Sequence, residues 1–270
     1  MTPMRVIKLM VFLAVPCAAQ WIDLPTPGIP RTLDNKPDLS APAPRTSGGK
    51  PDFSGMWVPR DVVTCDSKER GVQCTELPLT PQLLNFAAGL KDGLPYQPWA
   101  ADLVKSRAKD VAFLDPHVYC MPPNFPRAWA FPESEKIFQT PTQLVILHEF
   151  NASYRQIFFD GRKLPADMLP AWNGYSVAHW EGDTLVVESA GYRDDSWLDT
   201  AGNFFSGEAR VTERIRRPNF GSMDIDVTVN DAKVFTKPWT VALHMRSLVD
   251  TEMIDFMCQD NNKDVKHFVR

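Results

Sequence analysis

The chain has few of the residues that make common catalytic centres visible in a sequence. It holds five histidines in 270 residues, His117, His148, His179, His244 and His267. No two fall at the HxH or HxxxH spacing that sets both rings on one face of a strand or helix. The five cysteines match no zinc or haem spacing, so neither metal nor haem is expected. Phosphate-cradling glycine loops are missing, which argues against ATP and dinucleotides, and no cofactor is expected. The nearest approach to a serine nucleophile elbow, Gly174-Tyr175-Ser176-Val177-Ala178, lacks its closing glycine. There is no basic stripe either. With 29 Lys and Arg against 33 Asp and Glu, nucleic acid and anionic membrane surfaces are poor partners. After the first twenty residues no apolar run approaches the length needed to span a bilayer, so no membrane insertion is expected.

What is present begins with an export signal. MTPMRVIKLMVFLAVPCAAQ has Arg5 and Lys8 at its start, an apolar run from Leu9 to Val15, and a small residue, Ala19, at the expected cleavage point. Cleavage there removes residues 1–19 of 270 and leaves 251, enough for one domain and a tail. Loss of the two basic residues takes the formal charge from −4 to −6. A periplasmic or secreted protein is expected. Cys65, Cys74, Cys120 and Cys258 then lie in an oxidising compartment, and two disulfides are the natural use of four cysteines. Three pairings are open, of which Cys65–Cys74 with Cys120–Cys258 is preferred.

Residues 20–56 read as an extended proline-rich leader with an internal repeat. PRTLDNKPDLS at 30–40 returns as PRTSGGKPDFS at 44–54. Prolines at this density remove amide donors and oppose helix, so a spacer or a belt along the domain is expected. The remaining residues, 57–270, form a β domain whose first section is irregular. One helix should start at Thr80-Pro81 and carry the stripe Leu83, Leu84, Ala87, Ala88 and Leu90; a second should cover about Trp99–Ala108.

Past Lys136 the pattern changes to strands: 143–150, 154–160, 175–180, 184–189, 208–217, 223–229, 239–246 and 253–258. Residues 223–229 alternate strictly between apolar and polar, and Glu181-Gly182-Asp183 marks a hairpin. Eight short strands with little helix between them predict an all-β fold, an antiparallel meander closed into a barrel, with a two-sheet sandwich as the competitor.

QTPTQLVILHEF, RQIFFDGRKLP, WNGYSVAHWEGDTLVVES and TERIRR, together with the leader and Cys258-Gln259-Asp260-Asn261-Asn262, resemble a large group of uncharacterised exported bacterial proteins. WEGDTLVV is the most specific piece of the resemblance, which covers most of the chain after the signal. It implies a lipocalin-like barrel and brings no activity with it. Many sequences of that group carry histidines where this chain has Leu164, Tyr175 and Phe205. A pocket lined by these three would be greasier than in the look-alikes.

Candidate chemistry is therefore of two kinds. His179 and His148, with the carboxylates Asp160 and Glu213, could move protons if they converged. Glu213 and Arg214 should point to opposite faces of their strand, and His148 should share a face with Leu144, Ile146 and Phe150. Trp172, Tyr175, Trp197 and Phe205, with Leu164 and Arg162, could form an aromatic rim that binds a small apolar or aromatic molecule. Three functions are weighed: a binding barrel, which needs an open apolar cavity; a cofactor-independent hydrolase, lyase or isomerase, which needs a His–carboxylate–Arg cluster inside it; and an envelope interaction protein, which needs a filled barrel with an exposed groove.

Overall fold

The computed structural model describes residues 24–61, 80–194 and 196–260. The expected signal peptide and the Cys65–Cys74 pairing lie outside them. Nine strands follow one another around a closed barrel: β1 Gly55–Pro59, β2 Glu135–Gln139, β3 Gln143–His148, β4 Ser153–Phe158, β5 Tyr175–Glu181, β6 Thr184–Ala190, β7 Arg210–Asn219, β8 Ser222–Asn230 and β9 Trp239–Leu248. β9 pairs with β1 and leaves no edge strand.

Seven of the eight expected segments are strands. The eighth is not: 253–258 makes a single bridge, Phe256 to Phe150, and lies outside the closed sheet. The two extra strands, β1 and β2, are short pieces in which alternation barely starts before a proline or a turn breaks it. The meander is also not wholly antiparallel. β4 and β5 run parallel, joined by residues 159–174, and meet at only two pairs, Ile157 with Ser176 and Phe158 with Val177.

The long strands follow the period-two rule. Met223, Ile225, Val227 and Val229 are all fully buried, whereas Asp224, Asp226 and Thr228 face outward. On β7 the inward phase is Val211, Glu213, Ile215 and Arg217, so Glu213 and Arg214 do point to opposite sides. The β5–β6 hairpin turns on two residues, Gly182 and Asp183, rather than three, and Gly182 takes the left-handed φ of +60° that such a turn requires.

Both ends of the barrel are covered. The β5–β6 and β7–β8 turns and the exit of β9 share one end, and the leader crosses all three. Each repeat folds the same way. The amides of Thr32 and Thr46 donate to the carbonyls of Lys36 and Lys50, both at 2.8 Å. The guanidiniums of Arg31 and Arg45 donate to the carbonyls of Asn35 and Gly49. The same two arginines then dock the repeats, Arg31 on Asp250 and Arg45 on Asp183. Between them the carbonyls of Leu39 and Ala41 accept from Gly221 and Phe220. Phe53 enters the core and stacks on Trp180, and Gly55 and Met56, expected in the leader, open β1.

The other end is closed by 80–134 and 196–209. Helix α1 (Pro81–Leu84) starts as expected, with Thr80 Oγ1 accepting from the Leu83 amide and Pro81 in its first turn. It stops six residues early. Asn85 turns extended, Phe86 drops into the core, and Asp199 accepts the Phe86 amide. Helix α2 (Pro98–Arg107) falls within a residue of its expected place, and a short α3 (Val111–Leu114) follows. No helix among the described residues is long and apolar enough to cross a membrane. Phe53, Trp57, Phe86, Phe125, Trp129, Phe205 and the inward strand residues belong to one continuous core. Cys120 and Cys258 form a disulfide that fastens the C-terminal segment beside the β3–β4 turn.

Candidate binding groove at the β4–β5 seam

Of the four candidate acid–base residues, no two share a site. His179 lies on the outer face of β5, 3.3 Å from Glu181, which also binds Arg214. Asp160 is a turn residue held by Arg162, whose guanidinium keeps its carboxyl below the usual range. His148 faces the core with Leu144 and Ile146, and Nδ1 accepts from the Phe150 amide at 3.0 Å. Burial, and then the neighbouring His117, lower its pKa to about 3, so it stays neutral. No three metal-ligating side chains converge among the described residues.

Glu213 lies at the centre of the barrel in an ion pair with Arg155 from β4. The Arg155 guanidinium also donates to Ser176 Oγ at 3.2 Å and Ser189 Oγ at 2.9 Å, and Trp129 Nε1 donates to Glu213 at 2.6 Å. Burial works against the Arg155 charge, but the adjacent carboxylate outweighs it. The network joins β4, β5, β6 and β7, and every polar group it uses is buried. It is a cross-barrel tie.

The aromatic candidates divide. Phe205 is fully buried against Tyr192, and Trp197 is buried beneath the Arg107 guanidinium, so neither ring belongs to an accessible rim. Leu164 sits half-buried in the outer connection from β4 to β5. Leu164, Tyr175 and Phe205 therefore do not line one interior pocket. Core side chains from the irregular section, such as Phe86, Phe125 and Trp129, pack into the interior instead.

Trp172, Tyr175 and Arg162 do come together, on the outside. They line a groove of about 500 Å³ that opens where β4 and β5 diverge. One wall is 152–156 with Phe158, the other 171–176, and Arg155 and Ser176 form the floor. Phe158 and Tyr175 stack 5.6 Å apart. The Arg162 guanidinium lies 3.9 Å above the Phe158 ring and donates to the Tyr175 hydroxyl at 3.0 Å. Arg193 lies over Trp172. The groove thus offers ring faces, a guanidinium and a phenol within one recess.

Tyr154, Gln156, Phe158 and Asn173 were not anticipated here. β4, which carries the first three, looks unremarkable in sequence, and only the splayed parallel joint exposes it. Arg155 carried a signal, because it falls on the inward phase with Ile157 just as Glu213 does on β7; two buried positions of opposite charge imply a pair. No protein-family model matches this chain, and no curated protein or solved structure matches it.

Proposed function

We propose that this is an exported binding protein of the group that carries the WEGDTLVV motif, and that it holds a small apolar or aromatic molecule in the outer β4–β5 groove. The observation that carries this reading is the meeting of Trp172, Tyr175 and Phe158 around one open recess, with Arg162 to orient a polar substituent. The lumen is a poor candidate, since large side chains occupy it from end to end. A filled barrel with an exposed groove is also the arrangement required of an envelope interaction protein, so the occupant can be part of a larger partner. Acid–base catalysis draws no support from four candidates that lie in four places. The Cys120–Cys258 disulfide supports an oxidising compartment, periplasmic or secreted.

The test is titration with 8-anilinonaphthalene-1-sulfonate, followed by fluorescence. Trp172→Ala and Tyr175→Ala should each weaken binding by about three- to tenfold, the range expected for loss of one ring contact. His179→Ala should leave it unchanged. Equal affinity in Trp172→Ala and the unaltered chain would remove the groove as the site.

A further inference from the structure

We infer that the occupant of this groove is an extended peptide segment bound by strand addition; the inference rests on the groove being the binding site. On its β3 side every residue of β4 has a partner, from Ser153 with His148 to Phe158 with Gln143. On its β5 side only Ile157 and Phe158 do. Ser153–Gln156 therefore present a strand margin without ladder partners on one side, at a seam within the closed barrel. This is the feature that strand-addition sites use.

The direction of the backbone groups is fixed by one contact. The Tyr154 carbonyl accepts from Asn173 Nδ2 at 2.9 Å, so it points across the slot toward the second wall. A residue's amide and carbonyl lie on the same side of a strand, and alternate residues repeat the direction. The amides of Tyr154 and Gln156 thus face the slot as donors. Asn173, which lines the second wall, has a buried Oδ1 with no hydrogen-bond partner. An orphaned acceptor beside two amide donors is the complement of a peptide group, which brings one carbonyl and one N–H at fixed spacing. Asn173 already imitates half of that pairing.

The open margin is four residues long, roughly 13 Å at about 3.3 Å per residue, which suits a segment of three or four residues. Side chains of an extended segment alternate in direction, so one of them would fall on the Trp172 and Tyr175 rings while its neighbours point to solvent. The preferred ligand carries an aromatic or large apolar residue flanked by small ones.

The experiment is calorimetric titration of the full chain with acetyl-Ala-Phe-Ala-amide and with the same peptide N-methylated at its backbone nitrogens. Methylation keeps the side chains and removes the N–H donors. The parent peptide should bind about tenfold or more tightly than the methylated one, and Asn173→Ala should erase most of that difference. If Asn173→Ala does not fold, the two peptides on the unaltered chain still decide. Equal affinity for both peptides overturns strand addition. Binding of the naphthalene probe at Trp172 with no peptide binding overturns it too and leaves the groove standing, whereas failure of both probe and peptides removes the groove as well.

Discussion

Two stretches of the same barrel are built in opposite ways. β7, β8 and β9 are nine or ten residues long and pair along most of their length, with inner faces that alternate strictly and are mostly apolar, Glu213 and Arg217 of β7 excepted. β4 and β5 are joined at two residue pairs and run parallel. In the first region the ladder and the apolar face hold the strands together. In the second the ladder is nearly missing, and the Arg155–Glu213 tie, with Ser176 and Ser189, spans the gap from within. The recess between the two walls lies where the ladder is short, because the splayed strands there leave backbone groups of β4 without a strand partner.

The comparison breaks most visibly at Glu213. Glu213→Ala leaves a buried guanidinium without its counter-charge, at an expected cost of about 3–5 kcal/mol in urea unfolding. Hydrogen exchange in that variant should rise first at β4 and β5 and least at β8. Uniform acceleration around the barrel would show that the pair serves the whole core and not the seam.

The pH dependence sharpens the contrast at the far end of β3. His148 and His117 are neutral in the fold, with burial lowering their pKa values to about 3 and about 4. Unfolded, each takes a proton below about pH 6.5. Their contribution is therefore complete above pH 6.5 and is lost as pH falls toward 4 and then 3. Glu135, fully buried with neither carboxyl oxygen hydrogen-bonded, works in the other direction. Burial raises its pKa, so its protonated form favours the fold at low pH, and this contribution is lost as pH rises beyond the ordinary carboxylate range. Burial raises the pKa values of Glu133 and Asp199 as well, so the carboxyls offset the histidines, and the slope of stability against pH between 4.5 and 6.5 is read as a difference between variants. His148→Gln should reduce that slope by about 1.4 kcal/mol per pH unit. An unchanged slope would mean that His148 is protonated in the fold.

The smallest effect belongs to the leader. Arg45 and Asp183 form an exposed pair, and Arg45→Ala should leave the thermal unfolding midpoint nearly unchanged. Deleting residues 20–50 should still leave a cooperative domain, because the cut spares Phe53 and Met56, both buried in the core. Loss of cooperativity would make the belt part of the fold itself.

Residues 223–229 announced their strand and its inner face outright, and Thr80-Pro81 announced a helix start. Local pattern was enough there, because burial on one face writes itself into a period of two and a capping side chain acts within three residues. The same local reading placed Trp172, Tyr175 and Arg162 near one another, since the chain leaves β4 and enters β5 at those residues. It could not place Trp197, which Arg107 covers, or Phe205, which packs into the shared core. Nor could it find β1 and β2, too short to show a period, or exclude 253–258, whose alternation resembles a strand but whose pairing was pre-empted when β1 closed on β9. The sequence by itself determined the class of fold, the inward and outward residues of the long strands, and the Cys120–Cys258 bond as the preferred pairing. Only the tertiary structure decided that the barrel is filled and that a groove opens at the parallel joint. Filling and joining depend on contacts between residues far apart in the chain, and no local period records which of them will meet.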